Sequence, residues 1–204
     1  MQRPCYVVFA GVNGAGKSTF YHSGLWRHKS MDRSMDRINP DEIVREMDGD
    51  CHSSADQLKA AKEAYRRIQA LLERHRSFNQ ETTLTGRTSI RTIKEAHEQG
   101  YRVVMYYIGL NTPEKALERI AHRVETGGHP IAEETVRRRY RSSLRNLSLA
   151  IDFCDDVLAF DNTTEFTCVA QWHRGVLSWV GNVRLCAPWL LDAVFDDGLW
   201  RKQN

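Results

Sequence analysis

The strongest chemical signal in the chain is Gly11-Val12-Asn13-Gly14-Ala15-Gly16-Lys17-Ser18, which fits the spacing GxxxxGK[ST] at every fixed position. Glycines at these steps let the backbone fold into a ring of inward N–H groups that can surround phosphate oxygens. The lysine supplies a point charge for β- and γ-phosphates, and the serine hydroxyl is a hard oxygen suited to Mg²⁺. The chemistry expected is binding of ATP with Mg²⁺. Gly11, Asn13, Gly14, Ala15, Gly16, Lys17, Ser18 and Thr19 are the expected contacts, Ser18 the metal ligand and Lys17 also catalytic.

Other residues could act on what the phosphate loop holds. Asp41, in Ile38-Asn39-Pro40-Asp41, could take the proton of a hydroxyl acceptor. It could equally be an N-terminal helix charge favoured by the helix dipole. Glu81, beside the hydroxyls of Thr82, Thr83 and Thr85, fits two jobs: directing magnesium, or holding a hydroxylated substrate together with Asp41 and Thr83. Residues 119–145 carry Arg119, Arg123, Arg137, Arg138, Arg139, Arg141 and Arg145 around a Gly127-Gly128-His129-Pro130 break. A solvated charged face explains such a run, and so does a lid that closes cations onto a transferring phosphate, with Arg123 and Arg138 as catalytic candidates. Asn162, in Asp161-Asn162-Thr163, ends a strand where a loop can border the nucleotide base.

The elements that would position these groups follow from hydrophobic periodicity. CYVVFA at 5–10 and RVVMYYIGL at 102–110 read as strands buried on both faces. A helix is expected from Thr19 to about Lys29, then a polar turn over Ser30–Arg37, and at Ile38-Asn39-Pro40-Asp41 a very short strand followed by a helix start. Leu58, Ala61, Tyr65, Ile68 and Leu72 define a helix within 53–76, and 88–99 forms another, stopped by Gly100. Short strands are expected at 77–81 and 157–160, and helices from Pro113 and over 133–149. The 133–149 helix carries an apolar stripe of Val136, Tyr140, Leu144 and Leu147. The tail could hold a hairpin at 173–175 and a helix near 189–195. Alternating strands and helices predict an α/β fold, a parallel β-sheet wrapped by helices; taken with the phosphate loop and the Arg-rich 119–145 segment, the expected form is a P-loop kinase-like three-layer sandwich with a helical Arg-rich lid. Residues 1–163 form the expected kinase domain, with the lid at 119–145 and with 164–204 packed on it as an extension.

Composition is that of an ordinary soluble globular protein: 204 residues, 41% hydrophobic and 27% charged. A net charge of +3 is too small for a dedicated nucleic-acid binder. The five cysteines lie in no CxxC pair, which points to free thiols in a reducing compartment. With no signal segment and no long apolar span, a cytoplasmic protein without membrane partners is expected.

The set Gly11–Ser18, Asn39-Pro40-Asp41, Glu81-Thr82-Thr83, the Arg119/Arg123–GGHP–Arg137/Arg138/Arg139 region and Asp161-Asn162 resembles the zeta toxin family of P-loop kinases, over roughly residues 5–163. The resemblance implies a kinase for the 3′-hydroxyl of UDP-N-acetylglucosamine, and it raises an antitoxin protein as a partner. By the same likeness Asp41 is the base, Glu81 and Thr83 hold the substrate, and arginines near Arg123 and Arg138 bind the triphosphate. Three alternatives stand beside it: a nucleoside-monophosphate kinase, a polynucleotide kinase, and a nucleotide-dependent switch acting through a protein partner.

Overall fold

The computed structural model describes residues 3–27, 35–125, 128 and 130–195. Strand β1 (Cys5–Gly11) runs into the phosphate loop and helix α1 (Lys17–Ser23). Helix α1 ends at Gly24, in the left-handed conformation with its N–H on the Tyr21 carbonyl, so it is shorter than the expected 19–29 segment. Lys29, Thr126, Gly127 and His129 lie outside the described residues. After these come β2 (Asp36–Ile38), α2 (Pro40–Glu46), α3 (Ser54–Glu73), β3 (Phe78–Thr82) and α4 (Arg87–Glu98). The chain continues through β4 (Arg102–Gly109), α5 (Pro113–Glu125), α6 (Glu133–Ile151) and β5 (Asp156–Asp161). It closes with β6 (Thr167–His173), β7 (Val176–Val180), short helices α7 (Val183–Cys186) and α8 (Pro188–Leu190), and a π-turn at Leu191–Phe195.

The strands form one sheet in the order β2-β3-β1-β4-β5-β6-β7. The first five pair in parallel through helical crossovers, as an α/β fold requires. The antiparallel strands β6 and β7 extend the edge beyond β5, joined by a tight turn at Arg174-Gly175. Alternation along β1 and β4 splits the core into two layers. Tyr6, Val8, Ala10, Met105 and Tyr107 face a cluster covered by α3, α4 and the second half of α6. Val7, Phe9, Val104, Tyr106 and Ile108 face the other, covered by α1, α5 and the first half of α6.

Helix α6 therefore serves both layers. Val136 and Tyr140 belong to one cluster, and Leu147, Ala150 and Ile151 to the other. The helix crosses the end of β4: Tyr140 donates its hydroxyl hydrogen to the Leu110 carbonyl (2.7 Å), and Tyr107 shares a hydrogen bond with Ser143 (2.9 Å). No helix of the described residues is long and apolar enough to cross a membrane. The described cysteines form no disulfide, and burial pushes the Cys5 thiol up to about 11.

Candidate functional site

Register brings the chemistry together. Phe9 of β1 lies beside Glu81 of β3, and Ile38 of β2 beside Gln80. The phosphate loop, the Asn39–Asp41 turn and the Glu81–Thr83 segment thus leave the sheet at one carboxyl edge, where open α/β sheets place their ligand sites. A cleft of about 810 Å³ opens there. Asn13, Gly14, Gly16, Lys17, Ser18 and Thr19 line it at one end, and Asp41, Glu81, Thr83, Arg119, Arg123 and Arg139 line it beyond.

The loop is braced from behind. Gly16 has φ +89°, and a Cβ there would come within 2.7 Å of the Asn162 amide nitrogen. That nitrogen donates to the Ala15 carbonyl (2.8 Å), while the Asn162 backbone N–H donates to Gly109 (3.0 Å). Asn162 therefore holds the outer side of the loop, a contact that the sequence reading, which set it beside the base, did not contain. Ala15 is fully buried, its side chain packed in the α1 layer.

Lys17 is buried and donates to the Val12 carbonyl (3.1 Å). Burial drives its pKa below the ordinary lysine value, the Glu81 and Asp41 carboxylates oppose that fall, and Arg123 and Arg139 add to it. A buried amine whose hydrogen-bond partner among the described residues is one carbonyl, in a cleft also lined by Arg119, Arg123 and Arg139, suits an anion with several oxygens. The loop fits a triphosphate on that ground.

Glu81 is the hub of the opposite wall and is 9% exposed. Both its carboxylate oxygens accept from the Ser18 hydroxyl (2.9 and 3.0 Å). One of them also accepts from Arg37 (2.9 Å) and from Asn39 Nδ2 (3.2 Å). A hydroxyl and a carboxylate converging beside a phosphate loop are the hard oxygen donors that Mg²⁺ takes.

Asp41 stands in the first turn of α2, where Asn39 caps the helix by accepting from the Asp41 backbone N–H (3.0 Å). The cap is Asn39, which leaves the exposed Asp41 carboxylate facing the cleft with no hydrogen bond found among the described residues. Thr83 also lines the cleft, and its hydroxyl pairs with Thr85 (3.0 Å).

The arginines divide by helix face. Arg119 and Arg123 of α5 and Arg139 of α6 line the cleft, and Arg119 also donates to the Thr163 carbonyl (3.3 Å). Arg139 is half-buried; burial, then its neighbour Arg138, lower its pKa, and Asp41 opposes them. Arg138 is not among the cleft residues. It shares a separate groove with Arg141 and Arg145. Arg137 is engaged elsewhere, by Glu114 (2.6 Å) and Glu133 (2.9 Å). The sequence held a signal for Arg139: it lies three residues after the buried Val136 and next to the buried Tyr140.

Arg37, which the sequence reading passed over as part of a polar turn, has only 12% of its side chain exposed and meets Glu42, Asn79, Glu81 and the ring of Tyr21.

Residues 7–147 match the family described as AAA domain. An uncharacterized protein of Haemophilus influenzae is 35% identical over 134 residues, covering 66% of this chain and 91% of that protein. Among solved structures, the AvrRxo1-ORF1:AvrRxo1-ORF2 complex with ATP contains a chain similar over 92% of this one, with TM-score 0.68 and 20% identity. This chain spans only 64% of that one. The PezAT chromosomal toxin-antitoxin system of Streptococcus pneumoniae contains another, with TM-score 0.61 and 15% identity, covering 96% of this chain and 88% of that chain. At these identities the likeness to the solved structures is one of fold.

Proposed function

The chain belongs to the AAA domain family and has a P-loop kinase-like fold, and from that premise we propose that it is an ATP-dependent phosphotransferase acting on a hydroxyl of a small molecule. The observation that carries this reading is one cleft lined by Lys17, Ser18, Asp41, Glu81, Arg123 and Arg139. It offers cations for phosphates, a hydroxyl–carboxylate pair for a metal, and an unengaged carboxylate for a proton.

In this reading Lys17 holds the β- and γ-phosphates, and the backbone N–H groups of Asn13–Thr19 surround them. Ser18 and Glu81 would hold Mg²⁺, which when bound neutralises charge on the β/γ oxygens. Asp41 accepts the proton of the acceptor hydroxyl as its oxygen forms the new bond to the γ-phosphorus. The bond from that phosphorus to ADP breaks, and ADP departs with the electron pair. Arg123 and Arg139 offset the charge spread over the transferring oxygens. Lining from α3 and α4, including Tyr65, Gln57 and Thr88, gives the acceptor end room and polar contacts.

For the acceptor we propose a UDP-activated amino sugar such as UDP-N-acetylglucosamine, on the strength of the zeta toxin resemblance. An antitoxin-type protein partner belongs to the same proposal, prompted by the PezAT likeness.

Asp41→Asn tests the reading. It should leave ATP affinity within a few fold and lower transfer by about 10²-fold or more, since a positioned base contributes 10²–10⁴-fold. Transfer that survives nearly intact in single-turnover assays would make Asp41 a helix charge and remove the main support for a hydroxyl acceptor.

A further inference from the structure

The structure assigns Arg37 a role that neither the motif nor the family likeness names. We propose that it is a positioning residue, holding Glu81 toward Ser18 and, through Glu42, holding the first turn of α2 that carries Asp41. The inference rests on the phosphotransferase reading above.

Strand β2 alone anchors that region weakly. It is three residues long and, among the described residues, pairs with β3 alone, through Asp36, Arg37 and Ile38. The Arg37 side chain supplies the missing ties. Its Nε donates to both oxygens of Glu42 (2.8 and 3.1 Å), one Nη to Asn79 Oδ1 (3.3 Å) and the other to Glu81 Oε2 (2.9 Å). Its guanidinium carbon lies 3.6 Å from the centre of the Tyr21 ring, on the helix that begins with Lys17 and Ser18. One planar group therefore joins α1, α2 and β3.

The consequences separate by carboxylate. Glu81 Oε2 takes hydrogens from Arg37, Asn39 and Ser18, which fixes the plane of the carboxylate and aims its other oxygen at the Ser18 hydroxyl. Glu42 is gripped by Arg37 and also accepts from Asn39 Nδ2 (3.1 Å), so the cap and the first turn of α2 are set by one network. Only a rigid fork can bridge two carboxylates while stacking on an aromatic face; a lysine ammonium can satisfy one geometry at a time. Residues that orient metal ligands typically change metal affinity 10–100-fold when replaced.

The test compares wild type with Arg37→Lys and Arg37→Gln, each checked for folding by thermal unfolding without nucleotide. ATP affinity is measured in EDTA and in Mg²⁺, alongside the Mg²⁺ concentration giving half-maximal turnover. The proposal expects ATP affinity in EDTA to stay within about two-fold, the tightening by Mg²⁺ to shrink by about 10-fold, and the half-maximal Mg²⁺ concentration to rise similarly. Arg37→Lys, which keeps charge and length, should fold and still show this shift. Wild-type Mg²⁺ dependence in a folded Arg37→Lys overturns the proposal and leaves Arg37 a brace of the fold, whatever Arg37→Gln does. A wild type whose ATP affinity ignores Mg²⁺ fails differently: it removes the Ser18–Glu81 metal end itself, and the role of Arg37 with it.

Discussion

Single residues carry the most direct consequences. Lys17 sits below its ordinary pKa because it is buried, against the pull of Glu81 and Asp41. Triphosphate oxygens beside it would restore the charged form. ATP binding should therefore take up protons over the pH range in which Lys17 of the free protein is partly deprotonated, measurable by calorimetry in buffers of different ionisation enthalpy. Proton release, or no pH dependence, would place the phosphates away from Lys17. Among the arginines, Arg139→Ala should lower transfer by about 10²–10³-fold, as loss of one aimed charge-stabilising group does. Arg138→Ala, outside the cleft, should stay within about two-fold in the same kinetic assay. The phosphate loop was legible because its chemistry is contiguous. Arg37 was not, because its partners Tyr21, Glu42, Asn79 and Glu81 are brought to it only by the fold. The choice of Arg139 over Arg138 turns on helix phase, where one residue rotates a side chain by about 100°.

Among elements, most were readable, short strands included: those expected at 77–81 and 157–160 stand at Phe78–Thr82 and Asp156–Asp161, and the expected hairpin turns at Arg174-Gly175. Strand β4 and helix α3 have enough residues to display a period, and their observed bounds fall within a few residues of those expected. The first helix was drawn too long because the run after Gly24 carries apolar residues, Leu25 and Trp26, that suit a helix. Trp26 packs into the α1 layer without one, stacked against Tyr21, with its indole N–H on the Tyr21 carbonyl (2.8 Å). The Trp189–Phe195 segment is a π-turn after a short helix rather than a regular one. Its anchor is Trp189, whose indole N–H donates to Asp161 (2.9 Å) and whose ring lies over Gly109. A Cβ on Gly109 would meet that ring at 2.3 Å. Gly109→Ala should cost about 1–3 kcal/mol by overpacking, and Trp189→Ala about 3–5 kcal/mol by leaving a cavity. Urea unfolding of both variants measures this; stabilities near wild type would mean the C-terminal turns only rest on the sheet.

At the scale of the whole molecule, the site exists because one sheet between two helical layers delivers three loops to one edge while α6 closes over the end of β4. The strands beyond residue 163 belong to the same core: Val169, Ala170, Trp172 and Trp189 are buried in the layer that covers Tyr6 and Tyr107. At roughly 1.5–3 kcal/mol for each large apolar side chain, their loss approaches the 5–15 kcal/mol that stabilises a typical domain. A chain ended at residue 163 should lose its cooperative thermal transition, whereas an intact sharp transition would make the last strands an accessory. Helix and strand alternation announced the parallel strands of this sheet, and the hairpin expected at 173–175 is the antiparallel pair β6 and β7, whose place at the sheet edge beside β5 no local pattern carries. The central claim, phosphoryl transfer from ATP to a small-molecule hydroxyl, is tested most directly by mass spectrometry. Protein, ATP and Mg²⁺ are incubated with a panel of UDP-sugars, in wild type and in Asp41→Asn. The account predicts one added phosphate on UDP-N-acetylglucosamine with wild type and almost none with Asp41→Asn; bound ATP with no phosphate gained by any acceptor would contradict it.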